Sequence, residues 1–459
     1  MQRLVVDAIE RSEKSVVAIA RVRRDPARPT VPEDIAVPAL PGLGRTDPTD
    51  RTYVPSEFGA GVVIDAKGLI LTGFHVVGDH RDADYFVWLD RKPYAAKLKA
   101  ADSWLDLAVL QIEAVNLKPI VLGDARSAKK GQFVIALGNP YAIARDGQPS
   151  ATWGIISNLE RQAPAPRNAT RASEGRETLH HWGTLIQTDA RLELGSSGGA
   201  LINLQGEMIG LTTSLAALYG YERPGGFAIP VDDDFRRALE RLKTGRLPDY
   251  GILGIDPASL TAGDRQRERF GARVVDVVPA TPAAVAGLHP GDIITHIDGQ
   301  PVTDRLDIFR RVSGQFADTV LTLQVVRGTD DLLRSRPVSI QVKLSKKRSD
   351  ITRDNFSEVP LETWRGLRVE YATAAPLFSE RCRDLDPAGS VGIVEVARDS
   401  TAWKAGLRPG DFVSHVSDTR VATPRDFYDA VAVYSGDVSL RLTAVERAKA
   451  LRTVPAEEP

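Results

Sequence analysis

The segment 187–203, QTDARLELGSSGGALIN, sets Ser197 among three glycines at 195, 198 and 199. Glycines allow a turn of backbone to come close to a substrate carbonyl, so Ser197 is a candidate nucleophile. A serine hydroxyl needs a base to take its proton, and imidazole has the right pKa for that near neutrality. A buried carboxylate behind the imidazole fixes its tautomer and stabilises the imidazolium. Upstream lie His75 in LILTGFHVV and Asp106 in DSWLDLAVL, each at the edge of a predicted strand.

The same serine satisfies G-x-S-x-G, the nucleophile elbow of α/β-hydrolases. An elbow turns from a strand into a helix, whereas Ser197 precedes ALINLQGEMIGL, two apolar runs joined by Leu204-Gln205-Gly206 and read as a β-hairpin. An elbow enzyme also carries its histidine after the serine. The histidines available there, His289, His296 and His415, all fall inside a duplicated region. The order His, Asp, Ser is instead that of chymotrypsin-type enzymes.

The elements that must position these groups read as short β-branched or alternating runs from about Val16 to Pro230, broken by Gly, Asn and Asp. Such a pattern predicts an all-β barrel architecture. Clear helical periodicity in this half appears only at Val231 to Leu242, opened by acidic residues and closed by Lys243 to Gly245. Two proline-rich inserts, 24–50 and 163–178, are expected to be surface loops. The second carries Arg167, Arg171 and Arg176, without the interleaved aromatics that stack on bases. Beyond residue 250 the chain repeats: ATPAAVAGLHPGDIITHIDGQPV (280–302) is echoed by DSTAWKAGLRPGDFVSHVSDTRV (399–421) at an offset of 119 residues. That offset exceeds any solenoid period, so two separate copies of one globular module are expected.

Bulk properties exclude other classes. A net charge of −1 with 26% charged residues gives no overall field for nucleic acid or an anionic membrane, and no nucleic-acid partner is expected. The single cysteine, Cys382, excludes an intramolecular disulfide framework and a multi-cysteine zinc site. His180 and His181 are adjacent, not at a usual ligand spacing, so no metal or other cofactor is expected. MQRLVVDAIERSEKSVVAIARVRR breaks each apolar run with charges, so no membrane span and no export signal is read in this sequence.

The strings LTGFHVV, DLAVLQI, ALGNP, GIIS, QTDA, GSSGGALIN and GGFAIP, in this order and followed by two repeated modules, resemble the HtrA/Deg family of trypsin-fold proteases with PDZ domains. The resemblance implies a mainly β fold: a chymotrypsin-like double β-barrel followed by two α+β PDZ domains. Expected boundaries are 1–246 for the protease domain, 247–347 for the first PDZ domain, 348–360 for a linker, 361–448 for the second PDZ domain and 449–459 for a tail. It implies Ser197 as nucleophile, His75 as general base and acid, Asp106 as its orienter, and the N–H groups of Gly195 and Ser197 as the oxyanion hole. Leu192 with the strand Leu211, Thr212 and Thr213 would line the substrate pocket, while Arg191 either faces solvent or intrudes on it. The PDZ carboxylate loops would be Ile252, Leu253, Gly254 and Ile255 in the first module and Arg365, Gly366 and Leu367 in the second. One module, the second by preference, has the alternative of a purely structural role. The family usually has Asn before the catalytic serine, where this chain has Ser196.

By this resemblance the chain is an ATP-independent serine endoprotease of misfolded or partly unfolded proteins, binding peptide C-termini and regulated through its PDZ domains. A homo-oligomer of trimers or their multiples and a periplasmic or otherwise extracytoplasmic location are expected on the same ground. The alternative is a non-proteolytic PDZ scaffold or chaperone with an inactive triad.

Overall fold

The computed structural model describes residues 1–24, 49, 55, 57–139, 148–162, 178–213, 226–260, 270–327, 337–349, 355–446 and 450–457. Most of both proline-rich inserts, with Arg167, Arg171 and Arg176, lies outside the described residues. The chain divides into two units, Met1–Pro248 with Asp350–Val359, and Asp249–Ser349 with Pro360–Pro459.

In the first unit, β1 (Val16–Arg23), β2 (Glu57–Val63), β3 (Leu69–Gly73), β4 (Ala83–Leu89), β5 (Lys92–Asp102) and β6 (Leu107–Ile112) close into a barrel in the order β5-β4-β1-β2-β3-β6. Val17, Ile19, Ile70, Val87 and Leu110 fill it at 3% exposure or less, each worth about 1.5–3 kcal/mol when removed from water. A second closed barrel follows: β7 (Phe133–Gly138), β8 (Ser150–Arg161), β9 (Leu185–Thr188), β10 (Ala200–Ile202), β11 (Met208–Thr213) and β12 (Gly226–Pro230). The architecture is the expected chymotrypsin-like double barrel.

Among the described residues three α-helices attend the barrels. In α1 (Gln2–Ser12) the buried residues are Ala8 and Ser12, and the Ser12 hydroxyl donates to the carbonyl of Gly206 at 2.8 Å. The sequence reading names no helix here, although Val5, Ala8, Ile9 and Ser12 fall at helical spacing on its more buried side. The single turn α2 (Phe74–Val77) interrupts what read as one strand, LILTGFHVV. The third, α3 (Asp233–Lys243), is capped by Asp232 accepting from the Phe235 N–H, and buries Phe235, Ala238, Leu239 and Leu242, the spacing of one helical face.

The expected linker 348–360 is not free chain throughout. Its strand Phe356–Ser357 pairs antiparallel with β5, the Ser103 N–H donates to Asn355 Oδ1 at 2.8 Å, and Lys99 pairs with Glu358. Phe356 packs on the core of the first barrel and stacks against His80 with ring centroids 4.7 Å apart.

The second unit holds two α+β modules. The first orders its strands Ile255–Ser259, Ala272–Val277, Ile293–Ile297, Val320–Val326 and Pro337–Lys343 as neighbours, with helix Arg305–Ser313. The second repeats this with Leu367–Tyr371, Val391–Val396, Phe412–Val416, Val438–Thr443 and Leu451–Val454, and helix Pro424–Ala432. Third strands and helices are related by the offset of 119 residues found in the sequence. In each module an aspartate closes the Pro-Gly-Asp turn, Asp292 accepting from the His289 N–H and Asp411 from the Arg408 N–H. The expected tail 449–459 supplies a strand of the second module, with Val454 fully buried.

Candidate active site

Gly73 at the end of β3 lies opposite Leu107 at the start of β6. This register brings α2 and the turn before β6 together, and with them His75 and Asp106. The Asp106 carbonyl accepts from the Phe74 N–H at 3.1 Å, and Oδ1 from the His75 N–H at 3.0 Å. The His75 Nδ1 stands 2.7 Å from Oδ2 of Asp106. Because a carboxylate only accepts, Nδ1 carries the proton and Nε2 is left as an acceptor. Nε2 is buried and makes no hydrogen bond among the described residues.

Burial works against charge on both partners. For His75, the attraction to Asp106 and their hydrogen bond outweigh it and hold the imidazole above its ordinary pKa. The Asp106 carboxyl is likewise held below its ordinary value by the His75 charge and by hydrogen bonds from its ring and backbone. The pair is therefore built to stabilise an imidazolium.

Asp106 has a φ of +58°, uncommon for a side-chain-bearing residue, and its turn is held from several sides. Asp102 accepts from the N–H groups of Trp104 and Leu105, both at 3.1 Å. The Leu179 N–H donates to the Trp104 carbonyl at 2.9 Å, and His180 Nε2 lies 3.0 Å from the Leu105 carbonyl. Sequence reasoning missed His180. Nothing in its spacing from Asp106 signals the contact, which the fold alone creates.

Ser197 sits in a turn that the two barrels make together. The Ser196 N–H donates to the Glu193 carbonyl at 2.9 Å, and Gly195 has φ +94°, the third position of a type II turn. A Cβ on Gly195 would lie 2.3 Å from the Asn139 carbonyl oxygen, and one on Gly198 2.2 Å from that of Ala60. The Ala60 N–H of β2 donates to the Ser197 carbonyl at 2.8 Å, and the Gly198 N–H to that of Thr212. After Ser197 the chain forms the antiparallel pair β10–β11. A strand-to-helix elbow is absent at this site.

Leu192 lines a depression beside Ser196, with Ala136, Leu137 and Thr152. Of the expected β11 residues, Leu211 is wholly buried, Thr212 donates its hydroxyl to the Ser196 carbonyl at 2.6 Å, and Thr213 has no hydroxyl partner among the described residues. Arg191 borders the same depression, with its side chain 79% exposed and paired with Glu193 at 2.6 Å.

Residues 59–211 match the trypsin-like peptidase domain family and residues 251–344 the PDZ domain family. The chain is 30% identical to the periplasmic pH-dependent serine endoprotease DegQ of Escherichia coli over 406 residues, covering 86% of this chain and 80% of that one. It belongs to the HtrA/Deg family of serine endoproteases. A probable periplasmic serine endoprotease DegP-like protein of Pseudomonas fluorescens is 28% identical over 96% of this chain and 90% of its own. Among solved structures, the HtrA-type protease AlgW with a tripeptide superposes with a TM-score of 0.51 at 26% identity, covering 74% of this chain and 96% of that chain. AlgW with a decapeptide gives 0.51 at 25% identity, covering 75% and 98%. The chain is a serine endopeptidase carrying PDZ domains, and relatives named as endoproteases disfavour the inactive-scaffold alternative.

In this HtrA/Deg chain the expected peptide-binding loops precede the edge strands Ile255–Ser259 and Leu367–Tyr371, each packed beside its module's long helix. The two grooves differ. In the second, the Tyr428 hydroxyl bridges from the helix to the edge strand, donating to the Glu362 carbonyl at 2.7 Å and accepting from the Val369 N–H at 3.3 Å. The Arg365 guanidinium donates to the carbonyls of Val454, Pro455 and Gly436, so its side chain is turned to the module's own fold, while the role expected of its loop is one for backbone N–H groups. Its neighbours Gly366 and Leu367 enter the edge strand directly. Among the described residues no cluster of metal ligands occurs.

Proposed function

We propose that His75, Asp106 and Ser197 form the catalytic triad of an endoprotease that acts on unfolded or misfolded polypeptides without ATP. The observation that carries this reading is the 2.7 Å bond from His75 Nδ1 to Asp106, which leaves Nε2 as the base for the Ser197 hydroxyl. Ser197 Oγ attacks the scissile carbonyl while Nε2 takes its proton. The N–H groups of Gly195 and Ser197 receive the oxyanion, each such donor contributing about 3–4 kcal/mol to the transition state. The imidazolium then protonates the leaving amine, and water repeats the sequence on the acyl-enzyme. Peptide hydrolysis is itself downhill and the triad only lowers its barrier, so the cleavage step requires no phosphoryl transfer.

Leu192 supports an apolar lining for the pocket, with Leu211, Thr212 and Thr213 as its wall and Arg191 at its rim. Apolar C-termini add as a strand beside Ile255–Ser259 in the first PDZ domain, with their carboxylates received by the loop Ile252 to Ile255. The Tyr428 bridge favours a structural role for the second PDZ domain, despite its matching loop at Gly366 and Leu367. An extracytoplasmic location follows the periplasmic naming of the relatives. A homo-oligomer built on trimers follows the family pattern.

Fluorophosphonate labelling and casein degradation test the assignment together. Wild type is expected to label and to degrade casein, and Ser197→Ala to do neither. Equal labelling of Ser197→Ala overturns the reading.

A further inference from the structure

The 3-10 turn Leu179–Trp182 buries His180 to 1% exposure against the turn that carries Asp106. Both ring nitrogens are engaged, Nδ1 with the Thr184 hydroxyl at 2.8 Å and Nε2 with the Leu105 carbonyl at 3.0 Å. A carbonyl can only accept, so Nε2 carries the proton and Nδ1 accepts from Thr184. We propose that His180 is a positioning residue for Asp106, and through Asp106 for His75. It supplies a neutral donor that fixes the Leu105–Asp106 peptide behind the triad.

Neutrality matters as much as the bond. Asp106 must direct its charge at His75, and a cation on its far side would weaken the base it supports. The charged or titratable groups that act on His180 are Asp106, which favours its protonation, and His181, which opposes it. Burial is the largest influence and pushes the His180 pKa below the ordinary imidazole value. Such a ring stays neutral while the triad works. It also bonds the residue just before Asp106, whose φ of +58° needs support from its surroundings.

This inference rests on the triad reading, and its test separates the two. The full chain is assayed as His180→Leu, His180→Gln and Thr184→Val, with Asp106→Asn and Ser197→Ala as references, on a fluorogenic peptide across pH. His180→Leu is expected to lower kcat about tenfold to a hundredfold with KM little changed, the cost of a misplaced catalytic group. The acid limb of kcat/KM moves to lower pH as the His75–Asp106 contact loosens. His180→Gln, which keeps a donor within reach of Leu105, recovers most of the lost kcat, and Thr184→Val loses a few-fold. Wild-type kcat and an unmoved limb in His180→Leu overturn the inference, as does an equal loss in His180→Gln. Should His180→Leu fail to fold, an unchanged kcat and limb in Thr184→Val overturn it. If Asp106→Asn and Ser197→Ala stay active, it is the triad reading that fails.

Discussion

The Ala60 N–H donates to the Ser197 carbonyl at 2.8 Å, so a strand of the first barrel holds the serine loop of the second. The serine is thus indexed against the same sheet that ends in α2 and His75. Loop shape at Ser197 and triad geometry are two consequences of one interface.

Gly195→Ala is expected to damage this loop. The φ of +94° is strained for alanine, and its Cβ would meet the Asn139 carbonyl at 2.3 Å. Relief requires turning the Leu194–Gly195 peptide, which carries a proposed oxyanion donor. Loss of that donor predicts a kcat lowered about 10²–10³-fold, read by steady-state kinetics, with fluorophosphonate labelling slowed alongside.

The His75–Asp106 pair predicts a pH profile. Since the His75 pKa is raised, the active neutral base is lost as pH falls through a value above the ordinary imidazole pKa of about 6.5. Asp106→Asn removes the raising charge, so the acid limb shifts to lower pH while kcat falls by about four orders of magnitude. A limb that stays in place on Asp106→Asn would sink the pairing.

Phe356→Ala tests the returning strand. Phe356 is half-buried on the first barrel's core, and its truncation is expected to cost about 1–3 kcal/mol, seen as a lower melting temperature of the protease unit by calorimetry. Lys99→Ala, which breaks only a surface pair with Glu358, is expected to cost less than about 1 kcal/mol.

Arg365→Ala leaves three carbonyls of the second module without their common donor. A loss of about 2–4 kcal/mol is expected in denaturant unfolding of that module. Arg365→Lys restores little, because an ammonium lacks the planar fork that reaches Val454, Pro455 and Gly436 together.

Much of this was legible in the residues. Alternating runs marked the barrel strands, the hairpin after Ser197 separated two hydrolase designs, and the duplicated Pro-Gly-Asp turns marked the modules. Other features leave no pattern. A two-residue strand such as Phe356–Ser357 is too short for any periodicity. Leu451–Val454 sits alone beyond the repeat, and its place is set by pairing with Val438–Thr443 and by Arg365, two of whose partners lie 89 and 90 positions downstream. His180 belongs to the same class, its contact with Leu105 spanning 75 positions.

The strand at Phe356 also decides how the binding modules are wired. The chain leaves the protease unit after Pro248 and rejoins it at Asp350, before continuing at Pro360. The first module is therefore an insertion stitched in at both ends, and the second hangs from a stitch of its own. The two modules also meet directly, through Ser345 with Thr373 at 2.7 Å and Lys346 with Glu370, so tension on a polypeptide held by the second module would be shared between the seam with β5 and the first module. One proteolytic nick inside the first module would leave both fragments still fastened to the enzyme.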